Sequence, residues 1–332
     1  MVPMRAVVLR EYGGPEVLRF EEVPDPSPGP DEILVDVAAT ALNRADLLQR
    51  KGLYPDPTGA AHEIPGLEFS GTVLAIGERV RLWRPGDEVM GIVAGGGYAE
   101  RLAVHERQAM RVPESVSLAD AAAIPEVFLT AWDALVLQGG LTSGRWALVH
   151  AGASGVGTAA IQIAKSIGAR IAVTCSAPKA EACRELGADL VFERSPNDWL
   201  AEATTAVPGG FDTILDVIGG EEAPRNLAAL AVQGRIVQVG TMGGGATVNT
   251  GALLGAMLGK RATWIGTTLR TRPLEQKLAV TQRFAAEMLP LFDAGALRPV
   301  IDRHVPFAQI AGAHELMESN ANTGKLVVTM QA

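Results

Sequence analysis

Between residues 146 and 192 the hydrophobic pattern changes period several times. Trp146-Ala-Leu-Val-His150 is a short apolar run of the kind a fully buried parallel strand shows. It enters a glycine-rich stretch, Ala151-Gly-Ala-Ser-Gly-Val-Gly157, after which the period becomes helical, with Ala160, Ile161 and Ala164 on one face of residues 158–165. A second run, Arg170-Ile-Ala-Val-Thr174, predicts another strand, residues 178–186 a helix and residues 189–192 a third strand. Short connections make this a βαβαβ unit of right-handed crossovers. Asp212-Thr-Ile-Leu-Asp-Val217, Arg235-Ile-Val-Gln-Val239 and Ala262-Thr-Trp-Ile265 predict three more parallel strands, six in all, as in a complete doubly wound α/β sheet of the Rossmann type.

The pattern differs on either side of this block. Up to about residue 127, strand-like runs such as Ile33-Leu-Val-Asp-Val37 and Gly71-Thr-Val-Leu-Ala-Ile76 alternate with Pro- and Gly-rich turns, residues 24–30 and 54–59 among them. This predicts a compact, mostly antiparallel β module. After about residue 267 the sequence predicts a long helix over 274–292, a strand over 300–305, a helix over 308–317 and a last strand over 325–329, a tail expected to return to the N-terminal module. The triplets Gly95-Gly-Gly97 and Gly243-Gly-Gly245 read equally as flexible lids and as plain turns.

The strand–turn–helix at 146–165 is where chemistry enters. A helix N-terminus at the end of a parallel strand gathers free backbone N–H groups and the positive end of a helix dipole, which suits a pyrophosphate. Against the dinucleotide fingerprint G-x-G-x-x-G, Gly152 and Gly157 match the first and third glycines, and Ser154 replaces the second. Backbone groups at Ser154, Gly155 and Val156 are the candidate pyrophosphate ligands. Sites for NAD place an acidic residue at the end of the second strand to accept from the ribose 2′-hydroxyl. Here Cys175-Ser176-Ala177 follows, with Lys179 just beyond and Arg194 after the third strand. A hydroxyl and two cations suit a 2′-phosphate, so the reading favours NADPH; the other reading of Lys179 and Arg194 is as solvated surface charges. Gly240-Thr241-Met242 ends the fifth strand, where a ligand crevice is expected, and Thr267 to Leu269 leaves the sixth, where backbone groups suit a carboxamide.

Composition narrows the class. The chain has 332 residues, 48% hydrophobic and 20% charged, enough for a large core and two domains. A formal charge of −8 gives no basic face for nucleic acid or membrane surface. The start, Met1-Val-Pro-Met-Arg-Ala-Val-Val-Leu9, lacks a signal-peptide core, and no apolar run is long enough to span a bilayer. Two cysteines, Cys175 and Cys183, form no ligand cluster and no disulfide framework. A cytoplasmic protein is expected.

Several segments together resemble the medium-chain dehydrogenase/reductase superfamily and, within it, the zinc-free quinone oxidoreductases, nearest to the p53-inducible quinone oxidoreductase branch. They are Ala41-Leu-Asn-Arg-Ala-Asp-Leu-Leu-Gln49, Ala121-Ala-Ala-Ile-Pro-Glu126, Phe128-Leu-Thr-Ala-Trp132, His150-Ala-Gly-Ala-Ser-Gly-Val-Gly157, Arg298-Pro-Val-Ile-Asp302 and Thr323-Gly-Lys-Leu326, spread over essentially the whole chain. The resemblance implies a GroES-like catalytic domain over residues 1–127 and 268–332, a Rossmann NADP(H)-binding domain over 128–267, an active site in the cleft between them, and a homodimer often joined through the edges of the Rossmann sheets. In the related reductases the position of Arg194 is usually a tyrosine.

Zinc-binding members carry a cysteine, a histidine and a cysteine where this chain has Asn43, Leu67 and Glu126. An amide, a hydrocarbon and one carboxylate do not make a tetrahedral nitrogen and sulfur site. The histidines His62, His105, His150, His304 and His314 have no ligand spacing. Without a Lewis acid an alkoxide is poorly stabilised, whereas an electron-poor quinone needs mainly to be held against the nicotinamide. The resemblance implies site roles for Asn43, as a donor to the acceptor carbonyl or nicotinamide ribose, for Tyr54, as a stacking or hydroxyl group, and for Thr130, facing the nicotinamide. The first two also have a plain reading: Asn43 as a turn or cap residue, Tyr54 as a loop aromatic. Glu68 supports the site, and Glu126 is a site carboxylate or a buried hydrogen-bonding group.

The leading expectation is an NADPH-dependent quinone reductase acting on a small conjugated acceptor, with one- and two-electron reduction both open. The first alternative is an NADPH-dependent enone or enoyl-thioester reductase, which needs a proton delivered to carbon. The second is a non-catalytic crystallin-like or RNA-binding protein, against which the acidic charge argues.

Overall fold

The computed structural model describes residues 3–57, 63–194, 198–244 and 248–330. The expectations placed on His62, Gly245 and residues 58–59 lie outside them. The chain divides into two compact units, Met1–Leu129 with Leu269–Ala332, and Thr130–Thr268.

The first unit is built on a seven-stranded sheet. Its path runs Ile301–Pro306, Lys325–Thr329, Glu32–Ala41, Glu68–Ile76, Glu88–Ile92 and Ala109–Arg111, and Arg101–His105 pairs alongside Glu32–Ala41. All pairings are antiparallel except that of Ile301–Pro306 with Lys325–Thr329. The ten-residue strand Glu32–Ala41 is the organiser: it alternates buried and exposed positions over its first half and receives three neighbours. A half-buried strand of this kind aims every second side chain at one core. That core gathers Ile33, Val35, Val37, Phe69, Val73, Val89, Leu102, Leu326 and Val328. The register Val327 opposite Ala41 is what sets the start of the C-terminal strand, Lys325, against the end of strand Glu32–Ala41 and the residues that follow it.

The second unit is a doubly wound α/β fold. Six strands, all parallel, lie in the order Leu190–Glu193, Arg170–Cys175, Trp146–His150, Phe211–Asp216, Leu230–Gln238 and Thr263–Gly266. In chain order this is 3-2-1-4-5-6, with the reversal between Trp146–His150 and Phe211–Asp216. Ligands of such sheets sit beyond the carboxyl ends of the strands at that switch point. Buried polar groups there are paired. His150 bonds Thr174 Oγ1 through Nδ1 (2.9 Å) and Asn226 Oδ1 through Nε2 (2.7 Å), and Asn226 Nδ2 donates to Asp216 Oδ2 (2.9 Å). Asp216 Oδ1 takes the backbone N–H groups of Ile218 and Gly219. His150 is thus a satisfied structural histidine that ties three strand ends and a helix together.

Among the described residues no helix is long and apolar enough to cross a membrane.

Candidate functional site

The glycine-rich turn folds as a tight cradle. Strand Trp146–His150 ends at Ala151, whose φ of 57° is left-handed, and the chain reverses into helix Gly155–Ser166. Ser154 caps that helix: its side chain accepts from Gly157 N–H (3.1 Å), while its own N–H donates to Ala151 O (2.9 Å). Of the three expected pyrophosphate ligands, Ser154 therefore has its amide engaged. The N–H groups of Gly155 and Val156 form no hydrogen bond among the described residues, the condition of first-turn donors awaiting an acceptor. Two glycines are sterically required. A Cβ on Gly152 would fall 2.5 Å from Val173 Cβ, and one on Gly157 2.4 Å from Ala151 O. Neither approach tolerates a side chain, so the strand and helix meet at backbone distance, leaving an open cradle over two free donors. These residues fit a dinucleotide.

The neighbouring strand ends carry the groups expected at a 2′-phosphate. Parallel register sets Glu193 opposite Cys175, so Arg194 and Ser176 emerge side by side, and Arg194 N–H donates to Cys175 O (3.0 Å). Ser176 and Arg194 are exposed and Lys179 is half-buried, one 3-10 turn beyond Ser176. Gly240, Thr241 and Met242 follow strand Leu230–Gln238; Met242 N–H bonds Val217 O (3.1 Å), and the Gln238 amide donates to Gly240 O (2.6 Å). Thr267 N–H is engaged with Gln238 O (3.0 Å). Leu269 is buried, opens the C-terminal segment of the first unit and accepts from Arg272 N–H at 3.3 Å.

In the first unit the polar interior converges on Lys325. Its ammonium donates to Leu42 O (2.6 Å), Asn43 Oδ1 (2.6 Å) and Glu68 Oε1 (2.7 Å), with 2% of the residue exposed. Asn43 caps helix Arg44–Arg50; its backbone N–H bonds Asp46 Oδ2 (2.8 Å), and its amide nitrogen donates to Ala41 O (3.2 Å) and Glu68 Oε1 (2.8 Å). Both amide hydrogens and the amide oxygen of Asn43 are engaged inside the unit, so the expected donor to an acceptor carbonyl is here a holder of Glu68. Glu68 Oε2 takes the N–H of Glu126 (2.8 Å). Asp46 also accepts from Tyr98 Oη (3.1 Å), which meets His314 Nε2 (3.1 Å).

Burial and charge shift these acids unequally. Burial pushes Asp46 up to about 6, against the pull of the Asn43 N–H, Lys325 and Tyr98. Burial first, and then the Glu68 charge, push Glu126 up to about 8; Lys325 and Arg270 oppose the rise. Burial, reinforced by Arg50, takes His314 down to about 3.

Tyr54 lies apart from this network, on the loop after helix Arg44–Arg50. Arg270, 5% exposed, spans that loop and another: Nη1 donates to Tyr54 O (2.8 Å), Nε to Ala94 O (2.6 Å), and the guanidinium lies 4.9 Å from the Tyr54 ring centroid. Gly96 and Gly97 are bonded through their N–H groups to Ile64 O and Gly66 O, which makes 95–97 a packed turn. Thr130 is half-exposed in helix Pro125–Trp132, four residues after Glu126. Sequence reasoning missed Arg270 and the role of Lys325. A lysine heading the apolar strand Lys325–Thr329 was the available signal for the second.

Zinc does not fit. Leu67 offers no donor, and Asn43 Oδ1 and Glu68 Oε1 already surround a buried ammonium, beside which a divalent cation would be repelled. Among the described residues no group of three His, Cys, Asp or Glu side chains is placed to hold a metal.

Comparison with known proteins bears on the same residues. Residues 29–114 match the alcohol dehydrogenase GroES-like domain and residues 186–328 the zinc-binding dehydrogenase model. The chain is 30% identical over 98% of its length to the synaptic vesicle membrane protein VAT-1 homolog of Rattus norvegicus, covering 84% of that protein. It is 30% identical to the quinone oxidoreductase of Lama guanicoe, covering 99% of this chain and 98% of the other. Among solved structures, an NAD-dependent alcohol dehydrogenase superposes with a TM-score of 0.86 at 32% identity, over 98% of this chain and all of that one.

Proposed function

The chain belongs to the medium-chain dehydrogenase/reductase superfamily, and from that premise we propose that it is an NADPH-dependent reductase of quinones that works without zinc. The observation that carries the reading is the buried Lys325 ammonium bonded to Asn43 and Glu68, which sets a fixed positive charge against Asn43, one of the three positions a zinc enzyme would keep for its metal. An acceptor that is already electron-poor is the substrate class such a site suits. The similarity to a protein named quinone oxidoreductase supports the same class.

The coenzyme supplies hydride; the chain's residues hold it. Gly155 and Val156 N–H groups meet the pyrophosphate, with Gly152 and Gly157 keeping the backbone close. Ser176, Lys179 and Arg194 take the 2′-phosphate, and no carboxylate stands at the end of strand Arg170–Cys175 to repel it. The similar alcohol dehydrogenase is named for NAD, so these three residues alone carry the preference for the phosphorylated coenzyme. Tyr54, clamped from behind by Arg270, offers a ring face to a planar acceptor. Residues 128–267 form the coenzyme domain and the rest the catalytic domain. Two copies associate through the exposed apolar surface of helix Thr250–Lys260 and the outer edge of strand Thr263–Gly266. The protein acts in the cytoplasm on small molecules, not on nucleic acid.

Stopped-flow measurement of NADPH oxidation against ortho-quinones, para-quinones, enones and enoyl thioesters, with NADH as control, tests the reading. Rapid turnover of quinones with NADPH is expected. Turnover confined to enones would transfer the assignment to the alternative acceptor class, and consumption of no conjugated carbonyl would end it.

A further inference from the structure

Four polar side chains form one continuous hydrogen-bonded chain inside the second unit, across the carboxyl ends of its parallel strands. Thr174, His150 and Asp216 stand at the ends of three neighbouring strands, and Asn226 stands on helix Glu222–Ala229. None is more than 1% exposed. The direction of the chain is fixed from one end. Asn226 Nδ2 donates to Asp216 Oδ2 (2.9 Å), so Asn226 Oδ1 is the acceptor, and His150 Nε2–H donates to it (2.7 Å). His150 Nδ1 meets the Thr174 hydroxyl (2.9 Å).

The chain continues past Asp216 into backbone. Asp216 Oδ1 takes the N–H groups of Ile218 (2.6 Å) and Gly219 (3.0 Å), which folds residues 217–219 into a turn. The loop after the fifth strand hangs on that turn: Met242 N–H donates to Val217 O (3.1 Å) and Gly243 N–H to Ile218 O (2.8 Å). The Gln238 amide adds a second tie, donating to Asp216 O (3.3 Å) and Gly240 O (2.6 Å). At the other end, His150 immediately precedes Ala151, where the glycine cradle begins. A buried polar chain adds little stability over an apolar filling of the same shape; what it adds is one fixed arrangement of the groups it joins.

We propose that His150 and Asn226 are positioning residues for the coenzyme: through Asp216 they hold the loop Gly240–Met242 in a fixed place relative to the glycine cradle at residues 151–157. This rests on the reading of that cradle and loop as a dinucleotide site. Both side chains lie too deep to touch the coenzyme, and they act through the backbone they fix.

The direction of the chain makes the proposal testable. Asn226→Asp keeps the shape of the side chain but sets an oxygen against Asp216 Oδ2, where a donor is needed. Adding Asp216→Asn to that variant exchanges the two side chains and restores every bond. The amide, now on the strand, donates to the carboxylate, now on the helix. That carboxylate still accepts from His150, and the amide oxygen still accepts from the turn. Thr174→Val removes the far link without a change of charge.

Fluorescence titration gives the dissociation constants of NADPH and NADH for each protein, with circular dichroism to confirm folding. Asn226→Asp is expected to weaken both coenzymes by roughly tenfold or more, and Thr174→Val to weaken both alike by roughly three- to tenfold. The exchanged double variant should return to within about threefold of wild type, a residue of less than one such bond. Rescue of this kind is not expected of two side chains that merely fill space. A double variant that binds no more tightly than Asn226→Asp overturns the proposal. So does a folded Thr174→Val protein with wild-type constants, a measurement that stands even where Asn226→Asp does not fold. A wild-type protein that binds neither coenzyme overturns the dinucleotide reading instead, and the positioning role with it.

Discussion

Lys325 and Glu68 form an ion pair of 2.7 Å with 3% and 0% of their side chains exposed. Buried pairs of this kind rarely add stability over a well-packed apolar pair, but removal of one partner is costly because the other charge stays buried alone. Each of the three Lys325 N–H bonds has its own acceptor, so the ammonium is matched in number as well as in charge. Lys325→Met is expected to lose about 3–5 kcal/mol in denaturant unfolding. The double variant Lys325→Met with Glu68→Leu should recover much of that loss. A double variant no more stable than the single would show that the pair is not what the interior is built to satisfy.

The proposed preference for NADPH turns on one strand end. Ser176 follows strand Arg170–Cys175, and its neighbour across the parallel register is Arg194. A carboxylate at position 176 would accept from a ribose 2′-hydroxyl and repel a phosphate there. Ser176→Asp is expected to weaken NADPH by roughly tenfold or more, the order of one charge-assisted contact, and to tighten NADH. The readout is the dissociation constant of each coenzyme from fluorescence titration. Unchanged discrimination would move the 2′-phosphate away from Ser176 and return Lys179 and Arg194 to the solvent.

The coenzyme fold was legible in the sequence, and the acidic interior of the other unit was not. The parallel strands are continuous apolar runs separated by single helices, and local periodicity suffices to mark them. Even there the fifth strand begins at Leu230, ahead of the apolar run from residue 235, because Gln233 with φ of 64° interrupts the pattern without ending the strand. Lys325, Asn43 and Glu68 are brought together only by the pairing of Lys325–Thr329 and Glu68–Ile76 with opposite sides of Glu32–Ala41. Contacts separated by more than two hundred residues leave no periodic trace. Asn43 was visible as a cap or a site residue, and the structure shows how one amide serves the helix and holds Glu68 together. Arg270 leaves no mark of its own: a basic residue in a loop reads as solvated until Tyr54 and Ala94 are seen to close over it.

His314 makes stability depend on acid in a defined direction. Its folded pKa is depressed to about 3 by burial and Arg50, so its contribution is fully present above the unfolded value near 6.5 and is lost as pH falls toward 3. Asp46, raised to about 6, acts oppositely, its contribution being complete below its unfolded value of 3.8 and lost as pH rises through 6. Replacement of His314 by Gln isolates the first effect. The stability of wild type relative to His314→Gln should be constant above pH 7 and should fall by up to about 1.4 kcal/mol per pH unit below 6.5. Parallel pH curves for the two proteins would mean that His314 gains its proton in the folded state as easily as in the unfolded chain.

Helix Thr250–Lys260 has no buried residue, although its sequence is largely apolar. Leu258 is 79% exposed and Leu254 54%, and they lie one turn apart on the same face. The next element, Thr263–Gly266, pairs among the described residues only with Leu230–Gln238, so its other edge is open, and Val232 on that neighbouring strand is exposed as well. An open edge beside an uncovered apolar helix is a liability that a second copy removes by continuing the sheet. Wild type is therefore expected to sediment as a dimer at micromolar concentration. Leu254→Glu with Leu258→Glu should yield a folded monomer, because two carboxylates facing their own symmetry mates cost far more than two exposed ones. A variant that sediments as wild type does would remove this face from the interface and leave the exposed leucines without a partner.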